Sequence, residues 1–375
     1  MMKVMRRRAF LSLMAAGALG SQGLRVARAG EAAEKSPDEL LLRELSGLGG
    51  PGAAGAVLVD GKVVARGAVG SHVLRGRTKV TTDSVFRIAS ITKVLTGAAL
   101  LGLRDQGQLS LDDSLARFLP EAAQLRGPNG KPVEVTFKQL VTHTSGLPRS
   151  VPNDISQAGL LALLSRTQTL TIPGTHTAYS NFAAGLVGLV IGKLAGKPYR
   201  DHVSQSICAP LGMTGTAWSM VNVPPQQLAT GHEWRSDHAG HGSLVPARAE
   251  WKMGAAEAFG GLYASVEDML KLMAFELGAY GDAPESPVLS HRSIVQSHTR
   301  QTSGQPEAEQ HGVFFWLGDD ELVWHSGATD EYSSSFVLWP KKRAGAVILQ
   351  NHADVNGVER ATKRLLRGSL RALHA

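Results

Sequence analysis

Ser90 and Lys93 stand three residues apart in Phe86-Arg87-Ile88-Ala89-Ser90-Ile91-Thr92-Lys93, and on a helix that spacing puts both side chains on one face. A serine hydroxyl is a weak nucleophile until a neighbour takes its proton. A lysine drawn out of water has its pKa lowered toward the range where its amine can do so. A serine in the opening turn of a helix also meets the positive end of the helix dipole, which favours developing negative charge. Taken alone, the pattern is equally a capping serine beside an exposed lysine. Tyr179-Ser180-Asn181 follows Pro173-Gly174 at a turn entering an apolar run. A polarised tyrosine can relay a proton to a leaving group, and an amide two residues on can hydrogen-bond a substrate carbonyl. The bland reading is a half-buried tyrosine and an Asn helix cap. His325-Ser326-Gly327-Ala328 ends a strand-like run. A glycine there would let a substrate backbone approach the strand edge, and the Ala328 N–H could serve an oxyanion. By itself the histidine also reads as a loop residue.

Such residues need elements to bring them together. Ala53 to Val59 and Lys62 to Val69 flank Asp60-Gly61, which predicts a β-hairpin. Ser90 through Leu103, stopped by Gly107, predicts a helix, as do Val135 to Val141, Ala158 to Leu163 and Asn181 to Leu194. Ser265 followed by Glu267 and Asp268 predicts a capped helix to about Leu277. Gly312 to Leu317, Leu322 to His325, Ser334 to Trp339 and Ala344 to Leu349 predict short strands, and Gly357 to Leu373 carries apolar residues near helical spacing. A terminal helix lying on an antiparallel sheet buries both apolar faces. The expected fold class is therefore α/β (α+β), an antiparallel sheet flanked by terminal helices plus an inserted, mostly helical lobe. Residues 41–88 and 258–375 would form the α/β lobe and 89–257 the helical one, with the chemistry in the cleft between them. Ser219 to Ala256 and Gly278 to Gly312 read as loop walls of that cleft.

In this order the three motifs resemble those of the serine β-lactamase and penicillin-binding-protein superfamily, a Ser-x-x-Lys helix, a Tyr-x-Asn loop and a Lys- or His-containing triplet ending in Gly. The resemblance is closest to the class C β-lactamase and D-alanyl-D-alanine carboxypeptidase branch, which includes family VIII esterases. It runs from about Leu41 to Leu373 and extends to Gly107-Gln108-Leu109-Ser110-Leu111-Asp112-Asp113, His143-Thr144-Ser145-Gly146-Leu147-Pro148 and Phe259-Gly260-Gly261-Leu262. It implies a β-lactamase/transpeptidase-like fold and a serine hydrolase that needs no cofactor or metal. It further implies that Ser90 forms an acyl-enzyme, Lys93 is its proton partner and Tyr179 acts as general base and then acid. Asn181 would orient the acyl side, and His325 would hydrogen-bond a carboxylate or support Tyr179. The N–H groups of Ser90 and Ala328 would form the oxyanion hole, with Gly327 between His325 and Ala328. Whether Lys93 or Tyr179 takes the serine proton stays open. Class C β-lactamases carry a lysine where this chain has His325, and a neutral imidazole offers only a hydrogen bond at pH 7. That departure points away from efficient β-lactamase action and toward D-peptides, amides or esters. The implied partner is a small-molecule or short-peptide substrate, a D-peptide, β-lactam or ester. The alternatives are a family VIII-type carboxylesterase and a non-hydrolysing penicillin- or peptide-binding protein.

The 375 residues, 43% hydrophobic and 19% charged, exclude a disordered or fibrous chain. A net charge of +7 would invite nucleic acid, but six basic residues, Lys3 to Arg28, precede the first acid, Glu31. Without residues 1–29 there remain 33 basic against 32 acidic side chains, and no nucleic-acid partner is expected. Ala9 to Leu19 is too short to span a membrane, and Ala27-Arg28-Ala29 is a small-x-small site that a signal peptidase could cut before Gly30. Arg7-Arg8-Ala9-Phe10-Leu11 resembles the bacterial twin-arginine signal. Residues 1–29 are thus expected to be an export signal read by the export machinery, 30–40 a flexible lead-in and 41–375 one catalytic domain. The mature protein is expected to be a periplasmic monomer without a stable membrane span. The one cysteine, Cys208, lies in an apolar helix end and reads as a buried structural thiol. No GxSxG elbow is present. His232, Glu233, Asp237, His238 and His241 lack ordered ligand spacing and read as a solvated loop rather than a metal site.

Overall fold

The computed structural model describes residues 36–236, 242–302 and 310–374, all within the unit Lys35–Ala375. The expected export signal lies outside the described residues, as do Asp237, His238 and His241. Helix α1 (Pro37–Ser46) starts on a capping box in which the Ser36 hydroxyl accepts the Glu39 N–H and the Glu39 carboxylate accepts the Ser36 N–H. Strands β1 (Gly52–Val59) and β2 (Lys62–Gly70) follow. Asp60 and Gly61 between them both take positive φ, 49° and 73°, the twist a two-residue hairpin requires. A short β3 (Val85–Arg87) leads to α2 (Thr92–Asp105). The middle of the chain forms α3 (Phe137–Val141), α4 (Gln157–Ser165), α5 (Asn181–Ala195), α6 (Tyr199–Val203) and the strands β4 (His232–Ser236) and β5 (Gly242–Pro246). The last part runs through β6 (Tyr263–Ser265), α7 (Val266–Gly278), α8 (His291–Ser297), β7 (Trp316–Leu317), β8 (Val323–Ala328), β9 (Ser333–Trp339), β10 (Ala344–Gln350) and α9 (Val355–His374).

Among the described residues one six-stranded antiparallel sheet has the order β2-β1-β10-β9-β8-β7. Both of its faces are covered, which is why β10 is buried throughout instead of alternating. On one face α9 lays Val358, Ala361, Leu365 and Leu366 over Val337, Ala346 and Ile348, with Leu41 and Leu45 of α1 beside them. Each fully buried Leu or Ile there contributes about 1.5–3 kcal/mol. On the other face α7 packs on β1 and β10, and its core is continuous with that of the helical lobe. The chain ends therefore build the sheet layer and the middle is inserted as a mostly helical lobe, as the apolar patterning predicts.

Three local features differ from the sequence expectation. Strand β7 is reduced to Trp316–Leu317 because Phe314 turns left-handed (φ 56°) and the Gly312 N–H donates to the Phe315 carbonyl. The segment read as a solvated loop around His232 is a hairpin, β4 paired with β5. His232 is fully buried in it, its Nε2 accepting the Leu74 N–H and its Nδ1 donating to the Asn351 carbonyl. Finally β3 and β6 form a separate two-stranded sheet that ties the entry of α2 to the entry of α7. No helix among the described residues is long and apolar enough to cross a membrane. Cys208 is buried, and burial pushes its thiol up to about 11.

Candidate active site

Ala89 carries a left-handed backbone, φ 48°, immediately before Ser90. For a residue with a Cβ this conformation costs roughly 1–2 kcal/mol. It turns the chain from β3 into a single 3-10 turn, Ala89–Ile91, that opens α2 with Ser90 at its tip. The turn is pinned from two sides. The Ile88 N–H donates to the Leu262 carbonyl, and the Thr92 hydroxyl donates to the Ala89 carbonyl while accepting the Leu262 N–H. From the sheet, the Ser334 hydroxyl donates to the Ile88 carbonyl. Gly327 of β8 faces that same carbonyl, and a Cβ built on it would lie 2.2 Å from the Ile88 oxygen. The glycine's small size is thus used by the segment that carries Ser90.

Lys93 is fully buried, not an exposed helix lysine. Its Nζ lies 2.7 Å from the Phe259 carbonyl, 2.9 Å from Asn181 Oδ1 and 3.2 Å from Ser90 Oγ. No carboxylate is among these partners, and burial, aided by the Arg149 charge, pushes the amine well below its ordinary pKa. Two of the partners can only accept, so a neutral amine gives them its two N–H groups and turns its lone pair to the serine hydroxyl. Asn181 is the first residue of α5, and the cap is its neighbour Ser180, whose hydroxyl accepts the Ala183 N–H. The Asn181 side chain is thereby released from capping to bind Lys93.

The half-buried Tyr179 ring lies with its centroid 4.9 Å from Lys93 Nζ. Burial pushes its phenol up to about 12, against a hydrogen bond with Ser90 that works the other way. Its ring is tilted 34° to the His143 imidazole at 4.3 Å and runs parallel to the Trp316 indole at 6.3 Å. His143 is itself left-handed, φ 57°, and its Nδ1 accepts the Ser180 N–H at 3.2 Å. His311 packs on Trp316 at 4.1 Å and on His143 at 5.5 Å. His143 is visible in the sequence only as the head of His143-Thr144-Ser145-Gly146, and no spacing marks His311.

His325 is buried, with Nδ1 2.8 Å from the Ser326 carbonyl. A carbonyl only accepts, so Nδ1 carries the proton and Nε2 presents a lone pair. Burial first, and the nearby Lys93 charge second, hold the imidazole down at about 3. A neutral acceptor cannot serve a carboxylate, which also only accepts. In this tautomer His325 presents no N–H toward the site. The Ala328 residue closes β8 opposite Ser333, and the Thr329 N–H donates to the Tyr332 carbonyl. Alternation along an antiparallel ladder then turns the Ala328 N–H to the open edge, since β7 covers β8 only at Val323 and Trp324. The Ser90 N–H belongs to the opening turn, where helical N–H groups have no intrahelical acceptor. Sequence-distant residues Ser90, Lys93, Tyr179, Asn181, His325, Gly327 and Ala328 are thus gathered where α2, α5 and β8 meet. Among the described residues no group of three or more His, Cys, Asp or Glu side chains could hold a metal.

Comparison with known proteins shows the family. The Beta-lactamase family matches residues 39–369. "Protein flp" of Staphylococcus aureus (strain COL) is 29% identical over 313 residues, and the match covers 80% of this chain but only 59% of that protein. "D-alanyl-D-alanine-carboxypeptidase/endopeptidase AmpH" of Escherichia coli (strain K12) is 31% identical over 321 residues, covering 80% of each chain. The solved octameric penicillin-binding protein homologue from Pyrococcus abyssi superposes with a TM-score of 0.73 at 24% identity, over 90% of this chain and 76% of that one, and shares the fold. The chain belongs to the β-lactamase family, within the superfamily that also holds the penicillin-binding proteins and the D-alanyl-D-alanine carboxypeptidases.

Proposed function

We propose that the protein is an exported, periplasmic serine hydrolase that cleaves amide or ester bonds of small or short-peptide substrates through an acyl-enzyme on Ser90, in the manner of a D-alanyl-D-alanine carboxypeptidase. The observation that carries this reading is the buried Lys93 amine, held by two carbonyl-type oxygens with Ser90 Oγ as its third partner. Its lowered pKa and the raised pKa of Tyr179 support the choice of Lys93 as base and Tyr179 as acid. Neutral Lys93 takes the Ser90 proton as Oγ bonds to the substrate carbonyl carbon, and the oxyanion forms against the N–H groups of Ser90 and Ala328. When the tetrahedral intermediate collapses, the bond to the leaving amine or alcohol breaks and Tyr179 O–H supplies its proton. The Lys93 ammonium then returns a proton to the phenolate, so that the serine proton has passed to the leaving group. Water attacks the ester by the same steps in reverse. His325, its ring 6.3 Å from that of Tyr179, supports the phenol from the strand side, and Asn181 turns its amide NH2 to the acyl carbonyl.

The test compares release from a peptide ending in D-Ala-D-Ala, a short-chain nitrophenyl ester and nitrocefin, by the wild type and Ser90→Ala. The peptide or the ester is expected to be turned over faster than nitrocefin, and only with Ser90 present. Nitrocefin as the fastest substrate would reverse the substrate assignment, the ester as the fastest would make the protein a carboxylesterase, and no turnover of any would overturn the hydrolase reading.

A further inference from the structure

The stretch that carries Tyr179 is bonded along its length to the stretch that begins at His143. The Gly174, Ala178 and Asn181 N–H groups donate to the carbonyls of Thr144, His143 and Arg149, and the Ser180 hydroxyl donates to the Pro148 carbonyl. One further bond comes from a side chain of the supporting stretch, the Ser180 N–H donating to His143 Nδ1 at 3.2 Å. His143 thus holds the residues on both sides of Tyr179, Ala178 at 2.7 Å through its carbonyl and Ser180 through its ring. Between them the Tyr179 ring rests on the imidazole, with centroids 4.3 Å apart, against 6.3 Å to Trp316 and to His325. The imidazole is backed in turn by His311 and Phe314, at 5.5 Å and 5.6 Å. Two costs attach to this arrangement. His143 takes a left-handed backbone, φ 57°. With Nδ1 accepting, the neutral ring carries its proton on Nε2, which is buried with no hydrogen-bond partner among the described residues. A phenylalanine would stack as well and leave no polar atom orphaned. What the imidazole adds is the acceptor for the Ser180 N–H.

We propose that His143 is the positioning residue of Tyr179, fixing the direction of the phenol toward the leaving group through the Ser180 N–H and the face of its own ring. This rests on the hydrolase reading above, in which the Tyr179 O–H supplies the leaving-group proton. His143 acts through Tyr179 alone, since burial above all keeps its own ring neutral. A general acid must be aligned with the atom it protonates, and an offset of about 1 Å costs about 100-fold. A leaving group that departs without a proton is indifferent to that alignment. Comparing the two kinds of leaving group therefore separates the positioning of Tyr179 from a general loss of structure.

The test uses two esters with one acyl group, ethyl butyrate, whose alkoxide needs a proton to leave, and nitrophenyl butyrate, whose phenolate does not. They are compared in the wild type, Tyr179→Phe, His143→Gly and His143→Asn. Glycine and asparagine both accept the left-handed backbone, and asparagine keeps an acceptor for Ser180 while losing the ring. The readout is the ethyl-to-nitrophenyl ratio of kcat/KM within each protein, which cancels any general effect on the fold or on Ser90. Tyr179→Phe is expected to lower the ratio by about 100-fold or more. His143→Gly is expected to lower it by about tenfold or more, and His143→Asn by less. An unchanged ratio in His143→Gly beside a lowered one in Tyr179→Phe overturns the positioning role and leaves the hydrolase reading standing. Should His143→Gly not fold, the ratio in His143→Asn decides by the same rule. If Tyr179→Phe leaves the ratio unchanged, or the wild type turns over neither ester, the reading of Tyr179 as acid fails. Crystal structures of the wild type and of whichever His143 variant folds then decide the question of His143 on their own. A Tyr179 ring displaced or disordered in the variant sustains the clamp, and a ring in its wild-type place overturns it.

Discussion

Gly327→Ala places one methyl group between β8 and the Ser90 turn. Its Cβ would lie 2.2 Å from the Ile88 carbonyl oxygen and 2.4 Å from Ser334 Oγ. Opening the first of these to ordinary contact, about 3.2 Å or more, parts the strand from the Ser90 turn by about 1 Å. The serine side chain can rotate away, but only by giving up its hydrogen bond to Ile88, worth about 1 kcal/mol. The carbonyl is main chain and is held by its place in the turn, so the strand itself must yield, at about 1–3 kcal/mol. The two proposed oxyanion donors sit on the two sides of this seam, Ser90 on the turn and Ala328 next to Gly327. A misplacement of about 1 Å between reacting groups costs about 100-fold in rate. We expect Gly327→Ala to remain folded with a lowered Tm and to lose about two orders of magnitude in kcat/KM on a nitrophenyl ester. Adding Ser334→Ala should not restore it, because the clash with Ile88 persists. Unchanged rate together with unchanged Tm would refute the close packing, and unchanged rate with a lowered Tm would refute the link from packing to oxyanion geometry.

The site also predicts how stability and activity respond to charge. His325 and His311 have folded pKa values lowered to about 3 and about 4 by burial, so between those values and the unfolded value near 6.5 the unfolded chain binds more protons. Stability is therefore lost as pH falls below about 6.5, by up to about 1.4 kcal/mol per pH unit for each histidine. Urea unfolding from pH 7 to pH 5 should show a shallower fall in His325→Asn, and an equal fall would contradict the neutral, buried imidazole. Lys93→Met removes the proposed proton acceptor of Ser90 and should lower turnover by about 10² to 10⁴. The loss of hydrogen bonds to Asn181 and Phe259 and the relief of burying a polar amine oppose each other, so the urea midpoint should move little. Because the Lys93 pKa is lowered by folding, the wild type should also gain stability as pH rises toward 10.5 relative to Lys93→Met, and a flat difference would contradict the lowered pKa.

The motif residues were legible in the sequence because they form short-range patterns. Ser90 with Lys93, Tyr179 with Asn181 and His325 with Ala328 are each set by a helix, a turn or a strand of a few residues. The hairpin at Asp60-Gly61, the capping box at Ser265 and the apolar stripe of α9 were legible for the same reason. What was hidden depends on neighbours far along the chain. Lys93 looks like a surface lysine until Phe259 and Asn181 close over it. Gly327 looks like a substrate contact until Ile88, more than two hundred residues earlier, fills its place. Ala89 gives no local sign of a left-handed backbone, which Leu262 and Ser334 impose on the turn. Ser180 and Asn181 are both good caps, and only the geometry assigns capping to the first. β4 and β5 expose one face, so their polar composition conceals a paired hairpin.

The most direct measurement of the central claim is the intact mass of the protein after brief exposure to a penicillin, beside the same measurement on Ser90→Ala. A mass increase equal to the penicillin, present in the wild type, absent in the variant and mapped to the peptide containing Ser90, is the predicted result. An adduct of equal size on both proteins would contradict Ser90 as the nucleophile.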